Sequence, residues 1–194
     1  ESVQGNLEQS AELLHECQEC ADDISDRRLA ELMRGRVSLN LGVVSRARGH
    51  SDLAAEQISD MLRRARAEDY LPGVLIALAD LGDLARDRAD WDRALSYYKE
   101  ALQLGHAQPI KRILIEIIES VAIVAARTGW VEHSTTLLGA TSGLRERTGL
   151  GYFQPESSSS LALTVEMNQH ALGDASFAEA WERGHSLSVD RAIE

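Results

Sequence analysis

The sequence predicts an all-α fold organised as a solenoid of antiparallel helical hairpins, and three observations carry that reading. Strand signals are scarce: Ala, Leu, Glu and Arg dominate, there are only three prolines, and no Asn-Gly or Asp-Gly turn separates alternating apolar runs. Apolar residues instead recur at helical spacing, as in Leu29, Leu32, Met33, Val37, Leu41 and Val44. The helical pattern is also repeated. Placing Leu81-Gly82 over Leu41-Gly42 and Val121-Ala122 fixes a register of 40 residues. Gly49, Ala89 and Gly129 then coincide at a turn; Asp52, Asp92 and Glu132 open the helix that follows; Ala54, Ala94 and Ser134 fall two residues on. Ile58, Tyr98 and Leu138, then Met61, Ala101 and Thr141, complete the pattern without gaps. A period of this size with helical patterning inside each unit marks a solenoid.

The repeat has a packing reason. Antiparallel helices come close only where both carry small side chains at the crossing, and Gly82 with Ala94 fills that role in the stretch 79–104. Gly42 with Ala54 and Ala122 with Ser134 repeat it, and Leu81, Tyr98 and Leu102 supply apolar bulk around the contact.

Taken in order, Gly5-Asn6-Leu7-Glu8 reads as a turn, and a helix from about Leu7 to Asp22 as the second half of a hairpin. The first half lies outside the sequence, so the chain is expected to be a piece of a longer protein. A long helix over Asp26–Arg48 pairs with one over Ser51–Ala67, and Tyr70-Leu71-Pro72-Gly73 marks the next connection, the proline suiting a turn or the first helical position. Val74–Arg88 with Trp91–Leu104, and Pro109–Thr128 with Val131–Thr148, make two further hairpins. Residues 1–148 thus form the repeats. Residues 149–160, with Gly149, Gly151, Pro155 and Ser157 to Ser160, read as a connector, and residues 161–194 as C-terminal helices packing on the solenoid end. These are one over Leu161–Leu172, one capped by Asp174 or Ser176, and one carrying Val189 and Ile193.

A net charge of −11 argues against nucleic acid as a direct ligand, because phosphate binding needs a concentrated basic face. Arg63, Arg64 and Arg66 are the densest basic group, and Glu68 and Asp69 follow at once. Two cysteines supply no disulfide framework and suit a reducing cytoplasm. The most apolar run, 113–126, carries Glu116 and Glu119 and is too short to span a bilayer, so a buried helix is expected there.

Leu81-Gly82, Ala89-Asp90, Ala94, Tyr98 and Ala101 resemble the tetratricopeptide repeat (TPR), with a period of 40 in place of the usual 34 and without its closing proline. Further on, Leu137-Leu138-Gly139-Ala140, Leu144 to Gly149, Leu172-Gly173-Asp174, Phe177-Ala178, Ala180-Trp181 and Gly184 resemble the end of the helical-repeat region of large bacterial regulators. Those are multi-domain signal-transduction ATPases that usually carry a LuxR-type or SARP-type DNA-binding domain, or sometimes a cyclase or kinase domain. The resemblance implies a right-handed α-α superhelix with a C-terminal helical cap, the sensor or scaffold arm of a transcriptional regulator. It implies a concave face lined by the first helix of each hairpin, which carries over to Arg36, Val43 and Arg46, to Asp83, Arg86 and Asp87, and to Glu116, Glu119, Ile123 and Arg127. Such a mixed-charge surface suits a protein or peptide partner or a small polar effector. Self-association through the exposed terminal helices is the alternative.

Catalytic and metal chemistry find little support. Cys17-x-x-Cys20 beside His15 provides two thiolates on one helix face, but a structural zinc site needs four ligands. Glu12-x-x-His15 matches half of a di-iron signature and lacks its second pair. No phosphate loop ending in Gly-Lys-Ser or Gly-Lys-Thr occurs, and neither a nucleophile elbow nor a His-Glu-x-x-His motif is present. A non-catalytic chain without cofactor or metal is therefore expected.

Overall fold

The computed structural model describes residues 2–106, 108, 110–151 and 155–193, among which there are ten α-helices and no strand. The chain forms two compact units, residues 1–88 and 89–194.

The first unit contains α1 (Ser2–Asp22), α2 (Arg27–Ala47), α3 (Ser51–Ala67) and α4 (Leu71–Asp87), each packed on the next. Local chemistry sets the helix ends. Asp26 starts α2 by accepting a hydrogen bond from the Leu29 N–H at 3.0 Å. Gly49, at φ 80°, stops it, and the His50 N–H then donates back to the Ser45 carbonyl at 2.8 Å. Asp52 sits in the first turn of α3, where a carboxylate faces the positive end of the helix dipole. The α2–α3 crossing is as close as the sequence expects: a Cβ on Gly42 would lie 2.5 Å from Ile58 Cγ1 and 3.2 Å from the Ala54 carbonyl oxygen. Ala54, Ile58, Leu75 and Leu78 are fully buried around it. On the polar side, Arg34 bridges Asp22 and Glu31 at 2.8 and 2.9 Å, while Arg64 holds Asp60 at 2.7 Å and also reaches Glu31.

The second unit contains α5 (Trp91–Gly105), α6 (Lys111–Arg127), α7 (Val131–Thr148), α8 (Pro155–Leu172), α9 (Asp174–His185) and α10 (Val189–Ile193). Its centre is α7, which packs against α6, α8, α9 and α10. A helix covered on so many sides cannot carry large residues all round. Towards α9 it presents Gly139 and Gly143, and a Cβ there would lie 2.3 Å from the Trp181 carbonyl oxygen and 2.2 Å from that of His185. Gly184 answers from α9, 1.9 Å from the Thr136 carbonyl oxygen by the same measure. Backbone thus rests on backbone along this crossing. On the α8 side, buried Asn168 donates through Nδ2 to the buried Ser134 hydroxyl at 2.8 Å. Ala122, Leu138 and Leu161 form a small apolar core joined by Ile123, Leu137, Val165 and Trp181.

Several boundaries differ from the sequence expectation. Gly5 to Glu8, read as a turn, lie inside α1; a lone glycine in a helix costs only about 1 kcal/mol relative to alanine, and no proline follows to enforce a break. Pro72 falls within the first turn of α4, where its missing N–H has no helical partner to lose. The connector is shorter than expected, because α8 begins at Pro155 and takes in the serine run; Tyr152 to Gln154 lie outside the described residues, as does Pro109. The C-terminal helices α8 and α9 share a unit with α5–α7 and pack on α7. Among the described residues no helix is long and apolar enough to cross a membrane.

The repeated turn is left-handed at all three register positions, with φ of 80° at Gly49, 57° at Ala89 and 88° at Gly129. An L side chain in that region costs about 1–2 kcal/mol. Ala89→Gly is therefore expected to raise stability and Gly49→Ala to lower it, each by roughly 1 kcal/mol. Urea unfolding measures both, and a loss of stability in Ala89→Gly would contradict the turn geometry.

Candidate functional site

The residues that the TPR resemblance implies for a binding face fall into two sets, one in each unit. In the first unit, Arg36 and Val43 are exposed on α2. Arg46 reaches from α2 to α4, where its Nε donates to Asp87 Oδ2 at 2.6 Å and its Nη1 lies 3.5 Å from Asp83 Oδ2. Arg86 completes the group, its Nη1 2.9 Å from Asp83 Oδ1. Burial works against the charge on Arg46, but the hydrogen bond to Asp87 and the charges of Asp83 and Asp87 outweigh it and hold the guanidinium above its usual range. Two guanidiniums and two carboxylates neutralise one another here, so the cluster ties α2 to α4.

In the second unit, Glu116, Glu119, Ile123 and Arg127 follow one another along α6 at spacings of three and four residues, one stripe of the helix. Their environments differ. Arg127 is exposed at the helix end, and Ile123 packs against the Ala122–Leu138–Leu161 core. Glu119 is 4 % exposed, and its carboxylate is gripped by Arg145 of α7 in a fork, Nε to Oε1 and Nη2 to Oε2, both at 2.8 Å. The third nitrogen of Arg145, Nη1, donates to the Gly151 carbonyl at 2.9 Å, and Arg112 donates to the same oxygen at 3.2 Å.

That leaves Glu116 one turn away. Its Oε1 is buried without a hydrogen-bond partner. Burial pushes the carboxyl above the ordinary glutamate range; the attraction of Arg145 opposes this, the neighbouring charge of Glu119 adds to it, and Arg112 opposes it more weakly. Chemically, Glu116 is a part-buried acid with one oxygen that lacks a hydrogen-bond partner among the described residues.

Arg145 is the residue of this cluster that sequence reasoning missed. A signal existed: Leu138, Thr141 and Arg145 stand at i, i+3 and i+7, so the arginine shares the buried stripe of α7. Cys17 and Cys20 are exposed free thiols on α1, and His15 beside them is exposed too.

The position of Glu116 has a consequence for pH. Its folded-state value lies above its unfolded one, so the folded chain binds the proton more tightly. The associated stability is complete below the unfolded value and is lost as pH rises through the folded one. Glu116→Gln is expected to melt higher than the parent near pH 8, with the difference closing by about pH 4. Equal melting temperatures at both pH values would show that the carboxylate is solvated.

Comparison with protein-family models, with curated proteins and with solved structures gives no match for this chain.

Proposed function

We propose that this chain is a non-catalytic, TPR-like binding module, the sensor or scaffold arm of a bacterial transcriptional regulator of the LuxR-type or SARP-type class. On this reading the hairpins continue one another as a right-handed superhelix closed by the C-terminal helices. The stripe of α6 lies on the concave face, and a protein, peptide or small polar effector bound there biases ATPase and DNA-binding domains outside this chain. The observation that carries the binding part of this reading is Glu116. Buried polar groups are almost always partnered, and an orphaned carboxylate oxygen on a helix face is what a ligand donor would satisfy. Among the ten face residues, Arg46, Asp83, Arg86, Asp87 and Glu119 already hold charged partners within the chain.

Selection of a random peptide library on the purified chain tests this directly. Bound peptides are expected to carry Lys or Arg and to lose affinity on the order of tenfold for Glu116→Gln, the worth of one charge-assisted hydrogen bond. Because that substitution is not expected to destabilise the fold, weaker binding cannot be blamed on unfolding. Peptides indifferent to Glu116 would contradict the assignment.

A second reading, self-association, is favoured by a separate observation: Leu13, Leu29 and Met33 on α1 and α2 are 53 %, 49 % and 38 % exposed. Light scattering decides it. A dimer whose mass falls to the monomer value in Leu29→Glu supports assembly, and a monomer at all concentrations excludes it.

A further inference from the structure

The second unit holds a depression of about 320 Å³ between α6, α7, α8 and α9, with Glu119 among its lining residues. Its wall is apolar where Leu138, Leu161, Val165 and Trp181 meet, and Thr141 and Glu166 supply polar atoms. Small-molecule sites combine these properties: a volume of at least roughly 300 Å³, apolar walls and a few convergent polar groups.

Charge decides the class of ligand. Two carboxylates border the depression, and among the described residues no lysine or arginine does. Glu119 is neutralised by the bidentate fork of Arg145, which cancels its charge. Glu166 is different: it is exposed on α8 and makes no ion pair among the described residues. The depression therefore has a net negative charge at one place, beside an indole that can take a cation on its face. Trp181 is fixed in place, stacked on Phe177 with ring centroids 5.6 Å apart and with its backbone pinned against Gly139 of α7.

From this arrangement we infer that the depression binds a small amphipathic amine, its ammonium group between Glu166 and the Trp181 indole and its apolar body against Leu138 and Leu161. The site does not depend on the concave-face reading, with which it shares only Glu119. A ligand here would join α8 and α9 to the α6–α7 core, adding contacts across the part of the unit where the helices leave space. Binding would therefore stabilise the folded chain in proportion to ligand concentration.

Phenethylamine and 3-phenylpropionate are suitable probes, since they share an aromatic body and differ in charge. The measurement is intrinsic fluorescence in a chain carrying Trp91→Phe and Trp130→Phe, which leaves Trp181 as the reporter. Phenethylamine is expected to give a saturable change and 3-phenylpropionate none. Glu166→Gln should weaken binding on the order of tenfold, and Ala162→Phe, which fills the depression from an exposed position on α8, should abolish it. Thermal melting of both variants confirms that they fold. No saturable response, equal binding of the acid, or an unchanged response in Ala162→Phe would each overturn the proposal. None of these results bears on peptide binding at Glu116, so the two assignments fail separately.

Discussion

In the second unit one guanidinium, that of Arg145, stands before two carboxylates, and much of the local structure follows from how it is shared. Its fork is spent on Glu119, and its remaining nitrogen holds the carbonyl of Gly151, where the chain leaves α7. Burying an ion pair gains little against an apolar alternative, but breaking one by removing a partner costs about 3–5 kcal/mol, since the other charge is stranded. The pair thus fixes the register of α6 on α7 more than it adds stability. Glu116 pays the consequence, keeping a desolvated oxygen that no described group satisfies. The proposed function of α6 rests on this asymmetry: the acid nearer the middle of the helix is paired within the chain, and the one a turn before it keeps an unpartnered oxygen, which we propose an external donor satisfies.

A second constraint lies in the glycines of α7 and α9. Gly139, Gly143 and Gly184 bring carbonyl oxygens to within 2.3 Å of where a Cβ would stand, so these positions admit no side chain without separating the helices. Close approach here leaves α7 room for α6 and α8 on its other faces, and brings Trp181 of α9 into the lining of the α6–α9 depression. Packing and candidate chemistry are therefore linked through the same crossing. In the first unit Gly42 plays the corresponding part between α2 and α3, and there the neighbours are fully paired: Arg46, Asp83, Arg86 and Asp87 cancel one another.

Much of the helical architecture was legible in the sequence because local signals are strong. Asp26 caps α2, acidic residues open α3, α5 and α7, and left-handed turns recur at 49, 89 and 129, the positions that the 40-residue register aligns. The small-residue pairing of Gly42 with Ala54 was readable for the same reason, since an absent side chain is itself a packing statement. Tertiary pairings were not. Arg145 stands in a run of polar residues, and only the stripe it shares with Leu138 and Thr141 marks it as buried; nothing local says that its partner is Glu119, 26 residues earlier, and that Glu116 is excluded. The start of α8 was misplaced because four serines read as a connector, whereas Pro155 supplies a helix start ahead of them. Of the candidate face, the sequence shows which residues share a stripe, but their differing burial depends on which helices cover it.

The most direct test of this account is the titration of the Glu116 side-chain carboxyl, followed by carbon-13 NMR and assigned by its disappearance in Glu116→Gln. A midpoint clearly above the ordinary glutamate value of about 4.3 is expected, moving down when a cationic peptide binds. A midpoint at or below that value, unmoved by such a peptide, would mean that Arg145 or solvent already satisfies Glu116 and that the α6 face has nothing left to offer a ligand.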